Sequence, residues 1–169
     1  MKKLLLFALV LPLFALAFVA APKNSNPPVK KIHWYTWEEM AAANAKNPKP
    51  IFVDVYTQWC GWCKKMDRST FQDPKVIKTL TNDFYAVKLD AEQKKTILFK
   101  GTEFKFVGGR RGHNELAASL LDGQLSFPTT VLLTSNYERI MLSPGFKKVK
   151  GLMQELNFVT SGEYLEEED

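Results

Sequence analysis

Ile51-Phe52-Val53-Asp54-Val55-Tyr56-Thr57-Gln58-Trp59-Cys60-Gly61-Trp62-Cys63-Lys64 holds both cysteines of a 169-residue chain. Its first six residues form a compact β-rich run flanked by turn signals, which reads as a strand buried on both faces. The cysteines follow directly and should open a helix. Two thiols three residues apart on a first helical turn can close a small disulfide. The first lies where unpaired backbone N–H groups and the helix dipole stabilise an anion, and the thiolate is the nucleophile. The second is expected deeper, placed to attack a mixed disulfide and release product. Cys60 is thus the attacking thiol and Cys63 the resolving one, provided that the outer sulfur can be reached from solvent. A metal half-site would normally need two more ligands, and His33 and His113 show no ligand spacing. A static loop this short would constrain the unfolded chain little.

Asp54 interrupts the apolar run. A carboxylate in a buried strand is costly unless paired or protonated. Six residues before Cys60, it lies at the strand end that feeds the helix. With a raised pKa it can serve the inner thiol as general base, directly or through a water. The competing reading is a surface-facing Asp on an edge strand.

Outward from this stretch, Ile32 to Tyr35 reads as a short first strand. Thr36 with Glu39 is a capping box for a helix from Trp37 to about Ala45, stopped by Asn47-Pro48-Lys49-Pro50. Asp73-Pro74 starts another helix, with Val76, Ile77 and Leu80 as its apolar face. Phe84 to Leu89 reads as a strand and Thr102 to Val107 as a hairpin arm. Gly108 to Gly112 reads as a mobile turn, and Asn114 to Leu121 as a helix ended by Asp122-Gly123. Thr129 to Thr134 pairs with Arg139 to Leu142 across Ser135-Asn136. Val149, Leu152, Met153 and Leu156 recur at helical spacing in a final amphipathic helix. The pattern gives an α/β fold around a central mixed β-sheet flanked by helices.

The quoted stretch resembles the active site of the thioredoxin superfamily, most closely exported bacterial thioredoxin-like proteins carrying W-C-G-W-C-K. Asp54 falls on the family's buried acid, Cys60 and Cys63 on its nucleophile and resolving cysteine, and Trp59 on the tryptophan before them. Lys88, in Val87-Lys88-Leu89-Asp90, matches the lysine near that acid. Phe127-Pro128-Thr129 resembles the loop whose cis-proline faces the cysteines and presents backbone to an extended substrate; Pro128 is expected to be cis. The resemblance covers roughly residues 32–158. It implies a thioredoxin-like fold with an insertion over 91–126, before the cis-Pro loop. That insertion either shapes a substrate groove or decorates the edge. Trp62 stands where thioredoxin has proline, and Tyr56 where it has tryptophan, so the redox direction stays open. Trp59, Trp62 and Phe127 would ring the site as a substrate platform, or else pack against the insertion.

Met1-Lys2-Lys3 and the uncharged 18-residue run from Leu4 to Ala21 have the layout of a secretory signal peptide, with Ala15-Leu16-Ala17 and Val19-Ala20-Ala21 as cleavage sites. An uncleaved anchor is the alternative; either places the rest outside the cytoplasm, in the periplasm if the source is Gram-negative. The expected domains are a signal peptide over 1–21, a Pro-rich linker over 22–31, a thioredoxin-like domain over 32–160 and an acidic tail over 161–169.

Apolar residues make up 46% and charged residues 24%, values that fit a globular chain and argue against disorder or a polytopic membrane protein. Two cysteines exclude a disulfide-stapled miniprotein and a four-thiolate zinc site. The net charge of +5 falls to +3 without Lys2 and Lys3, and the remaining lysines are scattered, so no nucleic-acid patch is expected. The functional expectation is a monomeric thiol–disulfide oxidoreductase acting on protein thiols and disulfides. Reductase or isomerase is favoured over oxidase. Neither cofactor nor metal is expected. The redox partner would be a membrane electron donor or a re-oxidising thiol protein. The rivals are a non-catalytic partner-binding module and a thiol-based metal carrier.

Overall fold

Ile51–Tyr56 forms the strand β1, buried at every position but the last. Its side chains alternate between two cores, one on each face of the sheet. Ile51, Val53 and Val55 enter one apolar cluster, and Phe52 the other. Asp54 therefore points to the Phe52 face. β1 lies second in a four-stranded sheet of order β2-β1-β7-β8, where β2 is Tyr85–Asp90, β7 is Thr129–Leu133 and β8 is Arg139–Pro144. β1 runs parallel to β2 and antiparallel to β7, which makes the sheet mixed as expected. The computed structural model describes residues 31–109 and 112–165. The expected leader, nearly all of the linker and the acidic end of the tail lie outside the described residues.

The first face is covered by α1 (Trp37–Asn44) and by the segment between β2 and β7. Thr36 and Glu39 close the expected capping box on α1, each bonding the other's backbone N–H. The second face is covered by α2 (Gly61–Arg68), α3 (Pro74–Asp83) and α5 (Val149–Ser161). Asp73 caps α3 with Pro74 at its first position, and Leu152, Leu156 and Val159 are the fully buried positions of α5. The crossover through α2 and α3 is what allows β1 and β2 to lie parallel.

Two expectations need correction. Ile32 to Tyr35 is not a strand. Tyr35 alone makes a parallel bridge, to Val87, while Ile32 turns into the second core. The cap at Thr36 follows at once, which leaves the pairing no room to extend. Thr102 to Val107 is not one hairpin arm but parts of two. β4 (Thr102–Phe104) pairs with β3 (Ile97–Phe99), and β5 (Phe106–Val107) with β6 (His113–Asn114). Between them Lys105 spends both backbone groups on Glu115: its N–H donates to the carboxylate and its C=O accepts from the Glu115 N–H. Glu115 opens α4 (Glu115–Leu120), which Asn114 caps.

Candidate active site

Cys60 is the N-cap of α2, and the Cys63 backbone N–H donates to its Sγ at 3.0 Å. The two cysteines are joined by a disulfide, with Cα atoms 5.3 Å apart. The first turn of α2 carries no acidic residue, so nothing there opposes the pull of the helix N-terminus on a Cys60 thiolate. The expected contrast between an outer and an inner sulfur is slight in this oxidised form. Cys60 is 3% exposed and Cys63 2%. Cys60 is thus buried here, against the expectation that its sulfur is reachable, while Trp59 and Trp62, on either side of it, are 65% and 56% exposed.

The sheet register sets Asp54 of β1 directly beside Lys88 of β2. Lys88 Nζ lies 2.7 Å from Asp54 Oδ2. Asp54 is buried, not surface-facing, and its other oxygen, Oδ1, has no hydrogen-bond partner among the described residues. Burial raises the Asp54 pKa above the usual carboxylate range; Lys88 opposes this, and the nearby Asp67 adds to it. Lys88 responds to the same surroundings in the opposite sense. Burial alone would lower it, but Asp54 and then Asp67 outweigh that and hold its ammonium above the ordinary lysine range. Its charge also lies 4.8 to 5.4 Å from the rings of Tyr56, Phe71 and Trp34.

Asp67 is the residue that sequence reasoning missed. It projects from α2 onto Lys88 and forms a second short ion pair there. Lys88 is thus divided between a buried carboxylate and a half-exposed one. The spacing carried a signal: Cys63 and Asp67 stand at i and i+4 on one helix, which aligns them on one face. Thr57 Oγ1 is a further buried atom near the site without a partner among the described residues.

The Phe127–Pro128 peptide is cis, as expected. Phe127 meets Trp59 edge-on at 5.9 Å, and Trp62 lies 5.4 Å from Phe146. Phe127 thus meets Trp59 on one side and shares a hollow with Trp62 and Pro128 on the other. Glu92, from the start of the insertion, is a second unanticipated contributor: it accepts a hydrogen bond from the Trp59 indole at 2.9 Å. Among the described residues, no group of three or more His, Cys, Asp or Glu side chains is placed to hold a metal ion.

A disulfide at a helix start, a buried acid–lysine pair and a cis-proline loop are features the resemblance implied. Residues 21–160 match the family model described as "Thioredox_DsbH: Protein of unknown function, DUF255". The chain belongs to that family. Among solved structures it is similar to a DsbH oxidoreductase, with a TM-score of 0.55 at 16% identity, covering 80% of this chain and 90% of that one. A thioredoxin from Thermus thermophilus gives a TM-score of 0.57 at 21% identity over 78% of this chain and 88% of that one. These likenesses show a thioredoxin fold. Human spermatogenesis-associated protein 20 is 38% identical over 64 residues, 37% of this chain and 8% of that protein. The thiol:disulfide interchange protein DsbD of Escherichia coli K12 is 44% identical over 34 residues, 20% of this chain and 6% of that protein. The chain spans a tenth or less of the length of these curated relatives.

Proposed function

We propose that the protein is an exported thiol–disulfide oxidoreductase that acts on protein disulfides, as a reductase or isomerase more than an oxidase. The observation that carries this reading is the Cys60–Cys63 disulfide at the start of α2, the helix whose Asp67 pairs with Lys88 of the buried Asp54–Lys88 pair.

In the reduced protein the Cys60 thiolate attacks one sulfur of a substrate disulfide. The substrate S–S bond breaks, a mixed disulfide forms at Cys60, and the other substrate sulfur leaves as a thiolate that takes a proton from solvent. Asp54, in its ionised form, accepts the proton of Cys63. The Cys63 thiolate then attacks Cys60 Sγ, which breaks the mixed disulfide, re-forms the internal one and expels the second substrate sulfur as a thiolate that takes a proton from solvent. Two electrons pass from the cysteine pair to the substrate. Lys88 stabilises the carboxylate of Asp54 whenever it is ionised. Trp59, Trp62, Phe127 and Pro128 supply the apolar rim against which an unfolded or flexible segment docks. In an oxidising compartment the spent disulfide is re-reduced by an upstream thiol protein, such as a membrane electron donor. The DsbD relatives are named as thiol:disulfide interchange proteins, which supports the oxidoreductase reading.

An insulin-reduction assay with dithiothreitol tests the proposal. The protein should accelerate reduction, and Cys60→Ser should remove the acceleration. Because Cys60 is covered in the oxidised form, alkylation of the reduced protein provides a second check: Cys60 should react faster than a free cysteine at pH 6. A protein without activity, whose Cys60 alkylates no faster than free cysteine, is a binding module and not an oxidoreductase.

A further inference from the structure

Three hollows share walls at Phe127 and Phe146 and form one trough. The first, about 620 Å³, is bounded by Trp59, Glu92, His113, Leu125 and Phe127. The second, about 270 Å³, is bounded by Trp62, Phe127, Pro128 and Phe146. The third, about 530 Å³, is bounded by Phe146, Lys65 and Lys148. Phe127 divides the first from the second, and Phe146 the second from the third. The apolar middle of the trough is thus lined by Trp59, Trp62, Phe127 and Pro128, the two tryptophans being chain neighbours of the cysteines, and its two ends carry different charges.

At the Trp59 end, Glu92 Oε1 takes the indole N–H, and Oε2 has no partner among the described residues. Asp90 lies beside it, accepting from the Glu92 N–H and from Gln58. No lysine or arginine among the described residues pairs with either acid. Lys95 turns away to Glu38, and Lys94 lies over the Phe106 ring. Arg110 and Arg111 are outside the described residues. At the Trp62 end, Lys65 is held over both aromatic rings, 4.7 Å from Trp62 and 5.3 Å from Phe146. Lys148 is exposed nearby. The one acid in that hollow, Asp73, already caps α3.

We infer that this trough docks an extended polypeptide whose reacting cysteine has a basic residue on one side and an acidic residue on the other. The basic side chain sits by Glu92 and Trp59, and the acidic one by Lys65 and Lys148. The inference rests on the oxidoreductase reading above and adds to it a substrate class and a fixed chain direction. Opposed charges at the two ends favour one direction of the incoming chain and repel the other.

The test uses two peptides of equal net charge, each with a central cysteine in mixed disulfide with 2-mercaptoethanol. One carries Lys before and Glu after the cysteine; the other has them exchanged. Their reduction by the reduced full-length protein is followed in single turnover at low salt. One order should react about three- to tenfold faster than the other, the range expected of a few exposed charge contacts. The preference should collapse at about 1 M salt, where the screening length falls to about 3 Å. It should also collapse in Glu92→Gln, which keeps an acceptor for the Trp59 indole, and in Lys65→Gln. Equal rates for both orders in the unmodified protein overturn the inference and leave the oxidoreductase reading standing, as does a preference that survives in both variants. If neither peptide is reduced, the oxidoreductase reading falls and the inference falls with it.

Discussion

Asp54 concentrates the chemistry of the site at the scale of single residues. Its carboxyl is buried beside a lysine that also serves Asp67, so burial outweighs the attraction of Lys88 and favours the proton. As the proposed general base, Asp54 should matter to resolution and not to the first attack. Asp54→Asn should therefore slow release of substrate from Cys60 about 100-fold, a typical size for lost proton transfer, and the mixed disulfide should accumulate. Acid quench and mass spectrometry measure both. The same shift has a consequence for stability. A folded pKa above the unfolded value means a contribution fully present below the ordinary value of 3.8 and lost as pH rises through the folded pKa. Relative to Asp54→Asn, the native protein should lose stability as pH rises from about 3 towards neutrality; urea unfolding across pH reads the sign, and a relative gain would refute it. Asp67→Asn should return Lys88 wholly to Asp54, lower the Asp54 pKa and move the pH midpoint of the resolving step to lower pH. At this scale the sequence revealed Asp54 through one physical conflict, a charge inside an apolar run. Asp67 produced no such conflict, because a charged residue on a mostly polar helix looks ordinary until its partner is known.

Elements whose limits are set locally were readable before the structure. Thr36 with Glu39 and Asp73 with Pro74 mark helix starts by chemistry confined to four residues, and both appear as expected. Asp73→Ala should cost about 1 kcal/mol in chemical denaturation, since two N–H groups of α3 lose their acceptor. Elements whose limits depend on distant partners were not readable. The division of 102–107 into β4 and β5 is made by Glu115, ten residues beyond Lys105. The β5–β6 hairpin has its own close contact at Gly112. A Cβ there would lie 2.5 Å from the Val107 carbonyl oxygen and would also strike the Phe106 ring. A backbone atom cannot yield as a side chain does. Gly112→Ala should therefore cost about 1–3 kcal/mol and distort the hollow beside Trp59, measured as lost stability together with altered Trp59 fluorescence.

Over the whole molecule, the question left by the sequence was whether 91–126 shapes the substrate groove or only trims an edge. The core decides against mere trimming. Ile97, Leu116, Ala117 and Leu121 are buried in the same cluster as Val53, Val55, Leu89 and Val131 of the central sheet. The insertion completes one of the two layers that bury the sheet, while Ala91, Glu92, His113 and Leu125 form one wall of the trough. One segment thus closes the core on its inner side and contacts the active-site rim on its outer side. A core shared in this way should not unfold in parts. Leu121→Ala removes a side chain that is 1% exposed, and should destabilise the domain by about 2–5 kcal/mol. The decisive measurement is whether far-ultraviolet circular dichroism and tryptophan fluorescence shift together in denaturant. Coincident transitions displaced to lower denaturant are expected, because Trp37 lies in the same cluster as Leu121 whereas Trp34 packs on the opposite face. A separate early transition in the variant would show the insertion to be an autonomous appendage, and the trough would then have one wall free to move independently of the disulfide.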